Sequence, residues 1–300
     1  MLDKPSGMTS RKAGAILLNI LNRGLSKKDI LLTDSLTHLL TSFGHMGTLD
    51  PMASGLLPIA FGQASKMIPF IPVALKKYAF ELKFGFETDT LDITGKTLRR
   101  AEIKAFKESL PEIIPNFIGK ISQVPPDFSA VHIDGTRAYE LARRGKKIEM
   151  KPREIEIYSI EITDIADDST MFVVSCSTGT YVRSLGRDIA VATGNIGTVS
   201  MIRRLNTNGF DIKNAQTLDF FQNSYNNEQH SAGGMLLPID FGLDGIPVCN
   251  LETAAGKSFA NGGFVDLNES DGLRRIYSDG NFIGIGKCEG KVLKPMRVII

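Results

Sequence analysis

Three hundred residues, 42% of them hydrophobic, allow one large or two smaller globular domains with a sizeable core. Lys and Arg number 35 against 33 Asp and Glu, so a net charge of +2 gives no strong sign of an anionic partner, and local clusters have to settle that question. Three widely separated cysteines without CxxC spacing argue against structural zinc and a disulfide framework and for reduced thiols in the cytoplasm; no apolar run approaches the roughly 20 residues of a membrane span.

The chain begins Met1-Leu2-Asp3-Lys4-Pro5-Ser6-Gly7, too little for more than a short first strand unless the true start lies upstream. Lys-Pro-Ser-Gly is turn material, and Thr9 or Ser10 can cap a helix running to about Asn22. Residues 24–43 form a second, weakly helical segment with Ser26 and Thr33 as candidate caps; His38 within it reads as a solvated or packed side chain.

Gly44-His45-Met46-Gly47-Thr48-Leu49-Asp50-Pro51-Met52-Ala53-Ser54-Gly55-Leu56-Leu57-Pro58 holds a single carboxylate between turn-forming glycines and a proline, and the apolar run Leu56–Phe61 anchors it as a buried strand or helix start. Asp50 is then either an ordinary turn or capping residue or a rigidly held catalytic carboxylate. His45, on the same loop, suits stacking on a nucleobase as well as a plain turn role. Gln63–Leu75 reads as a helix broken at Pro69 and Pro72, and Lys76–Gly85 alternates as a strand carrying Tyr78, followed by Thr88-Asp89-Thr90-Leu91-Asp92.

Ala101–Leu110 is expected as a helix and Pro111–Gln123 as a second. In 123–147 aromatic rings (Phe128, His132, Tyr139) interleave with cations, and from Arg137 to Arg153 seven basic residues face two acidic ones. Such a stretch offers charges to phosphates and flat faces to bases, although a charge run alone is more often a solvated helix face. Its polar, Pro-rich character predicts a loop that orders on binding. Arg153–Asp164 and Met171–Ser177 read as a hairpin; Cys176–Leu185 as a strand end, a Gly turn and a helix start carrying Tyr181 and Arg183; Val199–Asn206 as a core strand; Asn214–Gln222 as a short helix; and 223–234 as a linker. Four β segments follow, at 263–267, 273–278, 281–287 and 292–300, in a small domain of about 55 residues.

No P-loop, dinucleotide-binding, zinc-protease or serine-hydrolase pattern is present. The loop GHMGTLDPMASGLLP, the opening DKPSGMTS, the strand KKYAFELKFG with its TDTLD continuation, CSTGTYVRSLGRDIA, and the apolar-Arg-Arg strand ending at 205 together resemble the TruB family of bacterial tRNA pseudouridine synthases. Relative to that family, 24–43 looks like an inserted helix. The resemblance implies an α+β fold, a mixed and largely antiparallel sheet of pseudouridine-synthase type flanked by helices and loops. It implies a catalytic domain over 1–240 with an RNA-gripping insertion at about 122–152, and a small β-rich PUA-like RNA-binding domain over 244–300, where Phe282–Gly286 is similar to the late PUA strand. It implies further that Asp50 is the nucleophile, that Arg183 pairs with it and favours its ionised form, and that Tyr78 stacks on the uracil. His45, Tyr181, Leu205, Lys66, Arg137, Arg143 and Arg144 would bind RNA. The expected partner is the T-arm stem-loop of tRNA, modified at position 55 by a cytoplasmic monomer that needs no cofactor. The competing expectation is a tRNA-binding or tRNA-folding module with secondary or lost catalysis. A glycosidase is disfavoured because no second acid can be placed beside Asp50.

Overall fold

The computed structural model describes residues 1–24, 41–133, 135–146, 148–226 and 236–299. Most of the 24–43 segment, with Ser26, Thr33 and His38, and most of the expected linker therefore lie outside the described residues.

β1 (Leu2–Lys4) leads into the Ser10–Gly24 helix, whose first turn is capped by Thr9: its Oγ1 accepts a hydrogen bond from the Lys12 amide at 3.1 Å. β2 (Phe43–His45) pairs with β4 (Ile59–Phe61), and β3 (Ser54–Leu57) lies between them in sequence. Then come β5 (Lys76–Phe84), β6 (Phe86–Thr88) with β7 (Thr97–Arg100), β8 (Gly119–Gln123), and β9 (His132–Ile133) with β10 (Thr136–Arg137). β11 (Arg153–Ile165), β12 (Ser169–Cys176), β13 (Gly197–Thr207) and β14 (Phe210–Asp211) complete the first part of the chain.

The main sheet runs β1-β3-β13-β5-β12-β11-β8, with β14 added to β13. Only the β13–β3 pairing is parallel, so the sheet is mixed and largely antiparallel, as expected. In β5 the period-2 pattern sets Tyr78, Phe80, Leu82 and Phe84 on the buried face, and Phe80 stacks on Phe172 of β12 with ring centroids 5.0 Å apart. The Val182–Ala192 helix lays Leu185, Ile189 and Ala190 on that face. It approaches closely because Gly186 has no Cβ, which would stand 2.5 Å from Cγ2 of Val199.

Several local expectations fail where long-range partners take the backbone. Residues 101–106 are not helical: the Ala101 amide donates to the Gly85 carbonyl, the Lys104 amide donates to the side chain of Asn195, and Phe106 stacks on Phe84. The helix expected over 111–123 is only Leu110–Ile113 and a 3₁₀ turn at Ile114–Phe117. Pro115 interrupts it, and the remainder becomes β8, which pairs with β11 at the sheet edge. Gln63–Leu75 is a 3₁₀ stretch, Gly62–Phe70, ending after Pro69. The helix expected at 214–222 is Leu218–Asn226.

The C-terminal unit contains β15 (Val248–Leu251), the Thr253–Ala260 helix, β16 (Val265–Asp266), β17 (Gly272–Ser278), β18 (Asn281–Glu289) and β19 (Val292–Val298), in the order β15-β17-β18-β19-β16. β15 and the helix are short and lie outside the four expected β segments. The unit has its own core of Cys249, Phe259, Ile276, Cys288 and Leu293. A second cluster joins its Ile285, with Leu243 and Ile246 of the segment leading into it, to Met46, Leu56, Met67, Ile71 and Phe210. No helix among the described residues is long and apolar enough to cross a membrane.

Candidate active site

Asp50 sits in the loop between β2 and β3, and that loop is tied down along its length. The Ser10 hydroxyl donates to the Leu49 carbonyl and accepts from the Leu49 amide, at 3.1 and 2.9 Å. The Gly7 amide donates to the Pro51 carbonyl at 2.8 Å, and the Ser6 hydroxyl to the Met52 carbonyl at 2.7 Å. The N-terminal turn thus braces the carboxylate, whose side chain remains 39% exposed. A rigid loop with one open carboxylate is the arrangement that preorganised nucleophilic attack requires.

Arg183, in the first turn of the Val182–Ala192 helix, reaches Asp50 from the opposite side: Nε lies 2.8 Å from Oδ2. Its other nitrogens are held as well. Nη1 donates to the Thr90 carbonyl at 2.7 Å and Nη2 to the Phe128 carbonyl at 2.9 Å. Nη1 also stands 3.5 Å from Oδ2 of Asp92, a buried carboxylate that accepts from the Thr90 hydroxyl and the Thr94 amide. Asp92 is a second acid near Asp50 to which the sequence reading gives no role. Its signal was the TDTLD stretch, whose Leu91 takes a φ of 61° to turn the chain back. Burial pushes the Asp50 carboxyl above its ordinary value, Arg183 pulls it down, and the Asp92 charge pushes it up again. Arg183 therefore offsets desolvation rather than depressing Asp50 below the usual carboxylate range.

Tyr78 is buried, and burial raises its hydroxyl, while the Arg204 guanidinium beside it favours the ionised form. The pairing of β5 with β13 sets Arg204 directly opposite Tyr78. Arg204 is fully buried and fastens both ends of the Asp50 loop: Nε donates to the Leu56 carbonyl at 2.8 Å, and Nη2 to the Met46 and Gly47 carbonyls at 3.3 and 3.1 Å. No local sequence pattern marks this role.

Asp50, Tyr78, Tyr181 and Arg183 line one cavity of about 180 Å³, together with Lys76 and Ile202 among others. Tyr181 is fixed there by Gln123, whose side chain accepts from its amide at 2.8 Å and donates to its carbonyl at 3.2 Å. His45 and Leu205 are not in that wall. His45 is half-buried at the end of β2, opposite Ile59, with its imidazole pushed toward the neutral form by burial and then by Arg204. Leu205 is half-buried next to Arg204 on β13. Lys66, Arg137, Arg143 and Arg144 are exposed, and the Arg143 guanidinium lies 5.4 Å from the centre of the Tyr139 ring.

Residues 37–182 match the family model described as TruB family pseudouridylate synthase (N terminal domain), and residues 247–299 match that described as pseudouridine synthase II TruB, C-terminal. The chain is 36% identical over 304 residues to the tRNA pseudouridine synthase B of Aquifex aeolicus (strain VF5), covering 100% of this chain and 98% of that one. It is 34% identical over 306 residues to the protein of the same name from Ehrlichia chaffeensis (strain ATCC CRL-10679 / Arkansas), covering 99% and 97%. Among solved structures, a chain of a Cbf5-Nop10-Gar1 complex superposes with a TM-score of 0.68 at 21% identity, covering 100% of this chain and 84% of that one. A chain of the archaeal box H/ACA sRNP Nop10-Cbf5 complex does so with 0.66 at 20%, covering 100% and 85%. These two are likenesses of fold.

Proposed function

This chain belongs to the TruB family of pseudouridylate synthases, and from that premise we propose that it isomerises uridine to pseudouridine in tRNA, with Asp50 as the nucleophile. The observation that carries the proposal is the Asp50–Arg183 pair at 2.8 Å in a cavity that Tyr78 also lines. The reaction breaks the bond between ribose C1′ and uracil N1, turns the base, and rejoins it through C5, so no redox partner or energy source is consumed. Asp50 attacks C6 of the uracil or C1′ of the ribose. Arg183 fixes the carboxylate and offsets its burial. Tyr78 presents a flat face and a hydroxyl to the base. His45 and Leu205 support the everted nucleotide from beside the cavity.

The substrate is the T-arm loop of tRNA at position 55, and the enzyme works as a cytoplasmic monomer. The target base is stacked within folded RNA, so it is flipped out at a cost of about a few kcal/mol, recovered through contacts to base and backbone. Residues 1–240 form the catalytic domain. The insertion at about 122–152, with Arg137, Arg143 and Arg144, grips the stem-loop together with Lys66, and 244–300 adds a PUA-like RNA-binding surface.

The test is tritium release from C5-labelled uridine in a T-arm stem-loop. The wild-type protein releases label and Asp50→Asn does not, while both bind the RNA. Equal release by the two proteins rejects Asp50 as the nucleophile, and binding without release by the wild type leaves a tRNA-binding module instead.

A further inference from the structure

Lys76, the first residue of β5, is half-buried in the wall of the catalytic cavity and has no assigned part in the reaction just described. Among the described residues its ammonium makes no hydrogen bond and no ion pair. Behind it stands Arg204, fully buried, whose guanidinium is held by loop carbonyls and the Tyr78 hydroxyl but is paired with no carboxylate among the described residues. The two cations end side by side at Gly47: a methyl group built on that glycine would lie 3.6 Å from Lys76 Nζ and 3.0 Å from Arg204 Nη1. A half-buried ammonium beside a buried guanidinium, with no carboxylate paired to either among the described residues, is costly unless an anion is to be met there. The cavity therefore has a carboxylate on one wall and an unmatched positive charge on another.

Pseudouridine formation supplies such an anion inside the cavity. If Asp50 attacks C1′, the C1′–N1 bond breaks with its electron pair leaving on the base, which becomes an anion with charge shared over N1, O2 and O4. If Asp50 attacks C6, the ring electrons move onto O4 and give an enolate. Either way Asp50 becomes a neutral ester while the uracil ring carries one negative charge. In the first route C5 of the base anion bonds to C1′ as the Asp50 oxygen leaves it. In the second, C5 bonds to C1′ as the C1′–N1 electron pair passes to N1, and loss of the C5 proton expels Asp50 from C6. The free carboxylate is restored either way. In both routes the C5 proton is lost and N1 gains one, so the product is an isomer of the substrate.

We propose that Lys76 is a further catalytic residue, donating from its ammonium to a carbonyl oxygen of the anionic uracil and holding the detached or adduct ring in the cavity. The proposal rests on the functional reading above. A backbone phosphate is the other anion in the complex, and the salt dependence of binding separates a contact to it from a contact to the ring. Lys76 shares a cavity of about 180 Å³ with Asp50 and Tyr78, which places it where the ring goes.

Burial and Arg204 both lower the Lys76 ammonium from its ordinary value, and Cys176 opposite it on β12 acts the other way. Asp50 and Arg183 share its cavity, as do Tyr78 on its own strand and Tyr181 from the helix start. Deprotonation of Lys76 thus contributes a fall in rate below the usual lysine range, and an arginine, which does not titrate there, removes that contribution.

The experiment measures single-turnover rate constants and RNA affinity of full-length wild type, Lys76→Gln and Lys76→Arg on a T-arm stem-loop across pH, with thermal melts as a folding check. Lys76→Gln is expected to lower the rate constant about 100-fold, as loss of one donor to a developing oxyanion does. Its RNA affinity should stay within about threefold, so the loss lies in the chemical step. Lys76→Arg is expected to recover at least about tenfold of that loss and to hold its rate further into the alkaline range than wild type. Should Lys76→Gln fail to fold, Lys76→Arg decides through its alkaline limb: a limb coincident with wild type overturns the proposal. A Lys76→Gln rate constant within about threefold of wild type overturns it also. So does a loss confined to affinity with a salt slope smaller by about one, the signature of a phosphate contact. An inactive wild type defeats the functional reading and this inference together, whereas an active wild type with an equally active Lys76→Gln defeats this inference alone.

Discussion

Arg183 has no free nitrogen: Asp50, Asp92 and the carbonyls of Thr90 and Phe128 take them all. A guanidinium is planar, so holding its nitrogens in this way fixes the plane in which it meets Asp50, whereas an ammonium has no plane to fix. The Asp50 carboxyl is nevertheless raised above its ordinary value, because desolvation outweighs the pull of Arg183. The sign for activity follows. Only the carboxylate attacks, so the rate is retained above the folded-state value and lost as pH falls through it. The acid limb of the single-turnover rate is therefore expected above the ordinary Asp value, 3.8. A limb at or below that value would show that solvent reaching the open part of the side chain outweighs burial.

At the scale of elements, the β3–β13 contact decides where the Asp50 loop ends. Gly55 has a φ of 102°, and a Cβ there would stand 2.4 Å from the Arg204 carbonyl oxygen and 2.7 Å from its nitrogen. Backbone cannot yield as a flexible side chain can, so Gly55→Ala forces β3 off β13 and disturbs the bonds from Arg204 that close the loop. The expected cost is about 2–4 kcal/mol by denaturant titration, with a lower single-turnover rate in whatever protein remains folded. A change within about 0.5 kcal/mol would mean that the two strands separate without penalty. The same long-range logic explains 101–106, which carries helix-forming residues yet is held extended by Gly85, Asn195 and Phe84.

For the molecule as a whole, the cluster of Leu243, Ile246 and Ile285 with Leu56, Met67 and Phe210 makes the C-terminal unit part of the support for the loop-bearing strands. The Arg275 side chain reinforces it, donating to the Ile246 carbonyl at 2.9 Å and lying 3.3 Å from Asp240. Leu243 is fully buried, so Leu243→Ala is expected to cost about 2–5 kcal/mol. Because the cluster is shared, thermal unfolding is expected as a single transition that this variant lowers without splitting. Two resolved transitions in the wild type would instead show that the units unfold independently.

The sequence by itself determined what depends on near neighbours. The period-2 run Lys76–Phe84, a helix cap at Thr9 or Ser10, the 153–176 hairpin and the glycine-flanked Asp50 loop are all local patterns, and pleat, capping and turn chemistry act over a few residues. Resemblance added the expectation that Arg183 meets Asp50, which no spacing within the chain contains. Tertiary structure alone decided that Asp92 shares Arg183, that Arg204 fastens both ends of the loop beneath Tyr78, and that Lys76 stands in the cavity without a counter-charge. A buried charge is defined by the groups that surround it after folding. Those groups come from strands and loops far apart in sequence, brought together by sheet order, so the residues could be read in advance but their electrostatic partners could not.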